Sequence, residues 1–472
     1  MIRRTLKEIA DMCGGRRKGQ LNNELIAHGV TRDSRDLKEG NLFIPIVGMR
    51  VDGHDFVAGA LEQGAAGSLW QKDRPVPAGT DESRLIFVND CIEALQKLAA
   101  AYRSELLVRV IGITGSNGKT TTKDMTAAVL GTMYKVHKTE GNYNNEIGLP
   151  LTILSADEET EVIVLEMGMS EFGEIELLTK LAQPDAAIIT NIGDSHMQQL
   201  GSREGIAKAK LEIVHGLSDE GIFIYNGDEP LIEAELRQLQ LPEGIRWKTF
   251  GFGDSNDWSA TAISIDAEST TFTPTYQGVS SELGHVTLPV LGKHNVSNAL
   301  AAIAAGRYFG VSSENIAVGL AGLRLTSMRV ERSLAANGAV LLNDAYNASA
   351  TSMKAAIDLM AELKGYRRKW LVLGDILEVG PTEQEAHYGV GAYVTPDKAD
   401  AVFTFGPQSR HIYSGACVNF PKEADGTLVR HFDRKEELIA QLQEELHPKD
   451  LVLVKGSRGM RMEQVVQALE AR

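Results

Sequence analysis

The chain has 472 residues, of which 43% are hydrophobic and 24% are charged, a composition typical of globular proteins that excludes a disordered or fibrous chain. At about 150 residues per domain, the length predicts about three domains. The formal net charge of −15 argues against a nucleic-acid or membrane-surface partner held by bulk electrostatics, but it leaves room for a local basic pocket that binds a small anion.

The three cysteines, Cys13, Cys91 and Cys417, lie far apart in the sequence, and no pair has the C-x-x-C spacing of a zinc or redox site. Few and scattered cysteines are typical of a reducing compartment, so we expect a cytoplasmic location. The amino-terminal residues carry charge with no apolar stretch behind them, and no run of about 18 apolar residues occurs anywhere. We therefore expect neither a signal peptide nor a membrane span.

The amino-terminal part of the chain has a mixed pattern. Glycines often follow short apolar runs throughout the sequence, which indicates an α/β protein. Residues 41–46 are predicted as a short strand and residues 56–63 as a helix. We interpret residues 1–105 as a small, independent, mixed α/β domain.

A nucleotide-binding domain is predicted to follow, over residues 106–324. Residues 108–114 form an apolar run typical of a buried strand, and a glycine-rich turn leads from it to a helix predicted over residues 119–130. Further strands are predicted at residues 162–165 and 186–190, and helices at residues 204–215 and 295–309. This alternation predicts a mostly parallel sheet.

The remaining residues, 325–472, again alternate between apolar runs and helical stretches. Strands are predicted at residues 339–342, 370–373, 401–405 and 451–454. The pattern indicates a third, Rossmann-like α/β domain. The predicted fold class is therefore α/β in three domains.

The run GSNGKTT at residues 115–121 lies between a predicted strand and a predicted helix, as a phosphate-binding loop requires. In such a loop the Lys119 ammonium reaches the β- and γ-phosphates and the Thr120 hydroxyl joins the Mg²⁺ shell. The usual spacing calls for glycine at position 113, where this chain has Ile113, so the loop is a variant. The alternative is an ordinary glycine-rich turn. The predicted phosphate-binding residues are Gly115, Ser116, Asn117, Gly118, Lys119, Thr120 and Thr121.

Two further polar residues follow predicted buried strands. Glu166 follows the strand at residues 162–165, and His196 lies in a loop after the strand at residues 186–190. The carboxyl ends of parallel strands meet at one edge of a sheet, so both side chains could bind a divalent ion beside the phosphate-binding loop. The alternatives are a solvated turn residue for Glu166 and an exposed loop residue for His196.

Over essentially its whole length the chain resembles the Mur ligases of peptidoglycan synthesis. The family motifs are GSNGKTT at 115–121, DSHM at 194–197, AKAKLE at 207–212 and GKHNVSNAL at 292–300, with TRDSR at 31–35 and DGHDF at 52–56 near the amino terminus. Others resemble the branch of the family that adds D-alanyl-D-alanine: DAYNAS at 344–349, LGDILEVG at 373–380 with His387, and VKGSR at 454–458. One departure is Ser349-Ala350, where the family commonly has asparagine and proline.

The resemblance implies an ATP-dependent ligase that joins D-alanyl-D-alanine to UDP-N-acetylmuramoyl-tripeptide through an acyl phosphate, in cytoplasmic peptidoglycan precursor synthesis. It implies ATP and Mg²⁺ as cofactors and these two substrates as partners, with no nucleic acid; we expect a monomer. Residues 1–105 would bind the UDP-muramoyl substrate and residues 106–324 would bind ATP. Residues 325–472 would close on ATP and bind D-alanyl-D-alanine.

The same resemblance implies the roles of individual residues. The implied catalytic residues are Lys119, Glu166, His196, Lys210 and Arg329, and the implied metal ligands are Thr120, Glu166, His196 and Lys210. Asn295 and Asn298 would approach the adenine, Asp344 the ribose or adenine, and Arg329 the γ-phosphate, although residues 294–300 also fit an ordinary capped helix. The implied substrate residues are Asp33, Ser34 and Arg35 near the uridine diphosphate, Asn142, Asn144 and Asn145 near the muramoyl peptide, and Tyr346 and Asn347. For the Asp, Ser and Asn residues among them, the alternative is a polar turn.

Lys210 has a role that only the resemblance supplies. A protonated lysine repels Mg²⁺, whereas a carbamylated lysine presents two anionic oxygens, and carbamylation needs the neutral amine that burial favours. On its own, Lys210 would be interpreted as a solvated helix lysine. Lys208 would point to a different side of the helix, so the two lysines should not be interchangeable.

Three alternatives for the function stay open at this point. Two are sister ligases: a MurE-like enzyme that adds a single amino acid, and a folylpolyglutamate synthase-like enzyme. The third is a nucleotide-binding switch that forms no amide bond. No motif decides whether the third residue of the tripeptide is diaminopimelate or lysine, whether a depsipeptide can replace the dipeptide, or what the oligomeric state is.

Overall fold

The structure is a computed structural model that describes residues 1–16, 25–239, 244–420 and 428–471. It contains three α/β units, each built on a sheet of its own. Within the described ranges, none of the helices has the length and apolar character that crossing a membrane requires. The predicted α/β class with three domains is confirmed.

The amino-terminal unit is built on a four-stranded parallel sheet. Its strands are β1 (Arg3–Thr5), β2 (Ile26–His28), β3 (Val30–Thr31), β4 (Leu42–Phe43), β5 (Gly67–Gln71) and β6 (Leu85–Val88), and its helices are α1 (Leu6–Cys13), α2 (Val57–Glu62) and α3 (Cys91–Glu105). The order in the sheet is β3-β4-β5-β6, while β1 pairs with β2 in an antiparallel ribbon. The predicted strand at residues 41–46 is shorter than expected, because Pro45 has no N–H with which to continue the ladder.

This unit shares a core with the next one. One cluster of buried apolar side chains runs from α1 and α3 to the helices of the central unit, and Tyr102 Oη donates a hydrogen bond of 2.9 Å to the carbonyl of Ala156. Residues 1–105 are therefore packed against the central unit, and their bounds as a domain stay a prediction. A second small apolar cluster, around Phe43 and Trp70, belongs to the amino-terminal unit alone.

The central unit carries the large sheet. Its strands are β7 (Arg109–Thr114), β8 (Val136–Lys138), β9 (Val162–Glu166), β10 (Ala186–Ile189), β11 (Ile222–Asn226), β12 (Arg246–Phe250), β13 (Trp258–Ile265), β14 (Thr270–Tyr276), β15 (Val279–Ser280) and β16 (Val286–Leu288). Its helices are α4 (Lys119–Leu130), α5 (Gly148–Ser155), α6 (Glu174–Ala182), α7 (Met197–Leu200), α8 (Arg203–Leu211), α9 (Pro230–Leu236), α10 (Lys293–Tyr308) and α11 (Ser313–Ala321). β7 lies between β9 and β10 in the parallel part of the sheet, and β14 pairs antiparallel with β13, β15 and β16.

The elements around the phosphate-binding loop agree with the sequence-based expectation. The helix predicted over residues 119–130 is α4, and the strands predicted at residues 108–114, 162–165 and 186–190 are β7, β9 and β10, each within one residue at either end. All three strands are almost wholly buried, as expected of central parallel strands. The antiparallel extension formed by β13 to β16 was not predicted.

The third unit has a six-stranded sheet. Its strands are β17 (Glu331–Leu334), β18 (Val340–Asp344), β19 (Lys369–Gly374), β20 (Ala401–Phe405), β21 (Val429–Phe432) and β22 (Leu451–Lys455), and its helices are α12 (Ala350–Glu362), α13 (Glu383–Tyr393), α14 (Ser409–Ala416), α15 (Lys435–Glu445) and α16 (Glu463–Glu470). The order is β17-β18-β22-β19-β20-β21, and only β17 runs antiparallel to its neighbour among the described strands. The four strands predicted here are confirmed.

The linker between the central and third units is fastened to the helix that follows the phosphate-binding loop. Asp124 of α4 is buried and accepts hydrogen bonds from the backbone N–H and the hydroxyl of Thr326, at 2.9 and 2.8 Å. Its carboxylate also lies 2.7 Å from Lys138 Nζ and 3.2 Å from Lys123 Nζ. Farther along the linker, Met328 and Val330 have φ angles of 62° and 54°, in the left-handed region. The predicted domain boundary near residue 325 falls within this linker and stays a prediction.

We expect Asp124→Asn to lower the free energy of unfolding by about 3 kcal/mol at pH 7, because it breaks a buried ion pair and leaves two lysines less well compensated. Burial raises the pKa of Asp124, but Lys123, Lys138 and Thr326 outweigh burial and hold the pKa below its ordinary value of 3.8. The ionised carboxylate therefore stabilises the folded protein above pH 3.8. This stabilisation is lost as the pH falls through the lower pKa of the folded state. The difference in the free energy of unfolding between the variant and the native protein should therefore become smaller in acid. Denaturant unfolding at several pH values measures this.

The matched control is Asp157→Asn, because Asp157 forms an exposed ion pair of 3.4 Å with Lys135. This variant should lose less than about 1 kcal/mol. An equally small loss for Asp124→Asn would show that Asp124 does not hold the linker.

Candidate active site

The site is built where three parallel strands end. Thr114, the last residue of β7, pairs in register with Ile189 of β10, and Ile113 pairs with Glu166 at the end of β9. The phosphate-binding loop, the Glu166 carboxylate and the loop that leads to His196 therefore leave the sheet at one edge. This is the edge at which parallel α/β sheets bind ligands.

The phosphate-binding loop is held by the loop after β10. Ser116 N–H donates to the carbonyl of Asn191 at 3.0 Å, and Asn117 N–H donates to Asn191 Oδ1 at 2.9 Å. Gly118 has a φ of 80°, and a Cβ on it would lie 2.5 Å from Asn298 Oδ1 on α10. Glycine is therefore required here both for the backbone conformation and for the close approach of α10.

Lys119 begins α4 and points back over the loop, where its ammonium donates a hydrogen bond of 2.7 Å to the carbonyl of Gly115. Burial lowers the pKa of Lys119, against the attraction of the Glu166 carboxylate. An ammonium held in this way can move to a phosphate oxygen when a nucleotide binds.

Glu166 is 3% exposed and hydrogen bonded through both carboxylate oxygens. The Thr120 hydroxyl donates to one oxygen at 2.9 Å, and Asn144 Nδ2 donates to the other at 2.8 Å. The Arg329 guanidinium donates to the Thr120 hydroxyl at 3.0 Å. The carboxylate is thus held at the site and is not the solvated turn residue that the sequence left open.

His196 and Lys210 form a second cluster beside the loop. Lys210 is 3% exposed, and its amine has no hydrogen bond or ion pair to any residue that the structure describes. Burial, reinforced by the charge of Lys119, lowers the pKa of Lys210 well below its ordinary value. Burial and the charges of Lys210 and Lys119 likewise lower the pKa of His196 to about 4. His196 is therefore held neutral near pH 7, the neutral form of Lys210 is favoured relative to an exposed lysine, and neither is the exposed residue that the alternatives describe.

The third unit supplies the opposite wall. Arg329 lies over the Tyr346 ring, 4.1 Å from its centroid. Lys455, the last residue of β22, forms an ion pair of 2.5 Å with Asp344 and also donates to the carbonyl of Asn347 at 3.1 Å. Ser349 caps α12 and donates to Asn117 Oδ1 in the phosphate-binding loop at 3.1 Å. Ser349 thus forms a direct contact between the third and central units.

These walls enclose a cavity of about 740 Å³. A neighbouring cavity of about 880 Å³ shares His196, Tyr346 and Asn347 with it and is lined mainly by the third unit. The predicted site residues that line the first cavity are Ser116, Asn117, Gly118, Lys119, Thr120, Thr121, Asn144, Asn145, Glu166, His196, Asn295, Asn298, Arg329, Asp344, Tyr346 and Asn347. The predicted residues outside its lining are Gly115, Lys210, Asp33, Ser34, Arg35 and Asn142, of which Asn142 lines the second cavity.

Comparison with known proteins identifies the family. Family models match three segments: the Mur ligase family catalytic domain at residues 26–103, the Mur ligase middle domain at residues 113–306, and the Mur ligase glutamate ligase domain at residues 328–458. The UDP-N-acetylmuramoyl-tripeptide–D-alanyl-D-alanine ligase of Bacillus subtilis is 51% identical over 469 residues, which cover 99% of each chain. This chain belongs to the Mur ligase family. The resemblance inferred from the motifs is confirmed.

Solved structures of Mur ligases match the whole architecture. The crystal structure of MurF from Acinetobacter baumannii superposes with a TM-score of 0.87 at 29% identity, and the match covers 100% of both chains. MurF from Thermotoga maritima, solved in complex with ADP, gives a TM-score of 0.81 at 28% identity over 94% of this chain and 97% of that one.

The Mur ligase family implies a Mg²⁺ ion, and the residues present fit one. Among the described residues, no group of three or more His, Cys, Asp or Glu side chains could hold a metal by itself. Mg²⁺, however, is usually bound through one or two carboxylates together with substrate phosphates. Glu166 with the Thr120 hydroxyl, together with the His196 imidazole, provides such a partial ligand set next to the phosphate-binding loop.

Sequence reasoning missed three residues of this Mur ligase site. Lys455 could have been found, because it follows the strand predicted at residues 451–454 and belongs to the VKGSR motif at 454–458. Thr139 accepts a hydrogen bond of 3.0 Å from the Glu166 backbone N–H, and Asn191 fixes the phosphate-binding loop. Each of these two residues acts through a contact between segments distant in sequence, which its residue type alone does not reveal.

We expect Gly118→Ala to weaken ADP binding by about tenfold or more, because alanine in the left-handed region costs about 1–2 kcal/mol and its Cβ would also meet Asn298. Calorimetric titration with ADP measures this. Gly59→Ala is the matched control, since Gly59 lies on α2 with open space around its Cβ position, and it should bind ADP like the native protein. Equal affinities for all three proteins would remove the requirement for glycine at position 118.

Proposed function

We propose that this Mur ligase joins D-alanyl-D-alanine to UDP-N-acetylmuramoyl-tripeptide, with conversion of ATP to ADP and phosphate. The observation that carries the proposal is the identity of 51% with the Bacillus subtilis enzyme of that name over 99% of both chains. The geometry of the site supports the same chemistry, since one cavity combines a phosphate-binding loop, a fixed carboxylate and cations from two units. These features also disfavour a nucleotide-binding switch, because the groups needed for transfer chemistry are all retained.

ATP would lie along the first cavity. The backbone N–H groups of the loop, with Lys119 and Arg329, would bind the β- and γ-phosphates, whose negative charge offsets the clustered cations. Asn295 and Asn298 on α10 would approach the adenine, and Asp344, oriented by Lys455, would bind the ribose or adenine. The Thermotoga maritima relative binds ADP, which supports nucleotide binding by the same architecture.

The first chemical step would activate a carboxylate. A free carboxylate is a poor electrophile, so an oxygen of the terminal tripeptide carboxylate attacks the γ-phosphorus of ATP, the bond to the β-phosphate oxygen breaks, and an acyl phosphate and ADP result. Lys119 and Arg329 would stabilise the negative charge that moves onto the leaving β-phosphate and the transferring group.

The second step would form the amide bond. The neutral amine of D-alanyl-D-alanine attacks the acyl carbon, the amine loses a proton, and inorganic phosphate leaves with the bonding electrons. We place the dipeptide in the second cavity, which is lined by the cations Lys354 and Arg458 and by the apolar Ile376 and Leu377. Such a lining complements the dipeptide's carboxylate and methyl groups.

The muramoyl substrate would enter from the amino-terminal side. Asp33, Ser34 and Arg35 would lie near the uridine diphosphate, and Asn142, Asn144 and Asn145 near the muramoyl peptide. A link between the two regions supports this arrangement, since the Arg32 guanidinium lies 5.9 Å from the centroid of the Tyr143 ring. The domain boundaries proposed from the sequence, 1–105, 106–324 and 325–472, would assign one substrate to each unit.

Mg²⁺ would be held by Thr120, Glu166, His196 and a carbamylated Lys210, and it would supply charge stabilisation to the transferring phosphoryl group. The burial of Lys210 supports the modification, because the neutral amine can attack carbon dioxide to form an N–C bond and release one proton. The resulting anion would attract the metal, which a protonated amine would repel. We further propose that the protein acts as a monomer in the cytoplasm.

The decisive experiment measures phosphate release from ATP and Mg²⁺ in the presence of UDP-muramoyl tripeptide. Three conditions are compared: D-alanyl-D-alanine, single amino acids, and no amine. We expect release only with the dipeptide and a product mass equal to the pentapeptide precursor. Release with a single amino acid would assign the protein to a sister ligase, and nucleotide binding without product would favour the switch.

We expect Lys210→Ala to lower kcat on the order of 100-fold, the size of effect seen when a group that supports charge stabilisation is removed. Added acetate should restore part of the activity, because its carboxylate can take the place of the carbamate. Lys208→Ala is the matched control: Lys208 lies on the same helix, is 56% exposed and faces Glu235 at 3.8 Å, so this variant should keep native activity. A fully active Lys210→Ala protein would show that Lys210 has no role toward the metal.

A further inference from the structure

His196 carries a buried polar atom that the proposed chemistry does not use. Its Nδ1 has no hydrogen-bond partner among the described residues. The nearest carboxylate oxygen is Oε2 of Glu378, which belongs to the third unit and lies 3.7 Å away. This distance exceeds a hydrogen bond by about half an ångström, and the Glu378 side chain is 69% exposed, so a rotation about its side-chain bonds can close the gap.

The backbone that carries Glu378 is held firmly. Ile376 N–H donates to His387 Nε2 at 2.9 Å, and Leu377 N–H donates to Ser457 Oγ at 2.9 Å. His387 is fully buried and its Nδ1 lies 2.7 Å from the carbonyl of Glu383. The two residues that precede Glu378 are therefore fixed to the rest of the third unit by hydrogen bonds of their backbone N–H groups.

The same segment is the place where the third unit meets helix α7. Glu378 has a φ of 63°, in the left-handed region. Gly380 packs against this helix so closely that a Cβ on it would lie 2.9 Å from Gln198 Cβ. The position of Glu378 beside His196 thus follows from packing between the two units.

We propose that Glu378 is a positioning residue for His196: its carboxylate accepts a hydrogen bond from Nδ1–H, which fixes the imidazole and leaves Nε2 as the nitrogen that binds the metal ion. A neutral imidazole has only one N–H, and a carboxylate partner on one nitrogen determines that the other is the ligand. The inference rests on the proposed function for the presence of the metal. It adds that the third unit contributes to metal binding, although Glu378 itself touches no metal.

The test measures metal affinity and not turnover, because Glu378 also borders the cavity in which we place the dipeptide. Mn²⁺ is titrated into the full-length protein with saturating ADP and no other substrate, and free Mn²⁺ is followed by electron paramagnetic resonance. We expect Glu378→Ala to bind Mn²⁺ about tenfold more weakly, the size of effect typical for the loss of such a partner. Glu378→Gln should lose less, since its amide oxygen can still accept the hydrogen bond.

Glu444→Ala is the matched control, because Glu444 is exposed on α15 of the same unit and its loss changes the net charge equally. It should bind Mn²⁺ like the native protein. Affinity of Glu378→Ala within twofold of the native value would overturn the proposal. A fall of the same size in Glu444→Ala would also overturn it, since the effect would then be one of net charge.

A second measurement is independent of affinity. Nitrogen-15 spectra of the histidine side chains in the native protein with ADP and Mg²⁺ should show His196 protonated at Nδ1, and an unprotonated Nδ1 would overturn the proposal. The outcome is separable from the ligase assignment. If dipeptide ligation fails but Mn²⁺ affinity falls in Glu378→Ala, the pairing is supported and only the ligase assignment is lost, whereas native-like affinity in an active ligase overturns the pairing alone.

Discussion

The site depends on one chain of hydrogen bonds that crosses from the third unit to the central one. Arg329 donates to the Thr120 hydroxyl, and that hydroxyl donates to the Glu166 carboxylate. Thr120 belongs to the helix after the phosphate-binding loop and Glu166 ends the adjacent strand, so a residue of the third unit reaches two central elements at once. Neither unit forms this site alone. In a parallel sheet the carboxyl ends of the strands lie at one edge. In this protein, that edge of the central sheet faces the corresponding edge of the third unit's sheet across the cavity.

Electrostatics gives the cavity its selectivity for anions. The chain as a whole carries a net charge of −15, yet Lys119 and Arg329 line one cavity, and the buried Lys210 lies close enough to Lys119 for the two charges to interact. Burying several cations close together raises the free energy of the folded protein, unless some of them lose a proton or an anion binds beside them. Burial and the charge of Lys119 lower the pKa of Lys210 and so favour its neutral form, and a bound triphosphate would supply the anion. An acidic protein can therefore hold a polyphosphate through a local arrangement of charges that its composition does not reveal.

The strands and helix around the phosphate-binding loop could be predicted from local sequence patterns. Elements that depend on contacts between distant segments could not. The strand before Gly115 and the helix from Lys119 were found because apolar runs and glycine leave clear patterns in the sequence. The shortening of β4 could also have been predicted, because the proline at position 45 has no N–H for the sheet. The antiparallel strands β13 to β16 and the core shared between the first two units were missed, since both depend on which segments meet. At the site, Lys455 was within reach of sequence reasoning, whereas Thr139 and Asn191 act through contacts that no local pattern encodes. The roles of Lys210 and Arg329 came from the family resemblance alone.

The linker has a further consequence for how the central and third units are held together. Met328 and Val330 both have left-handed backbone conformations, and such conformations cost about 1–3 kcal/mol for residues other than glycine. The cost is highest for a β-branched residue such as Val330. Contacts across the cavity offset it while the units are together. The joined arrangement of the two units is therefore held against backbone strain in the linker that connects them.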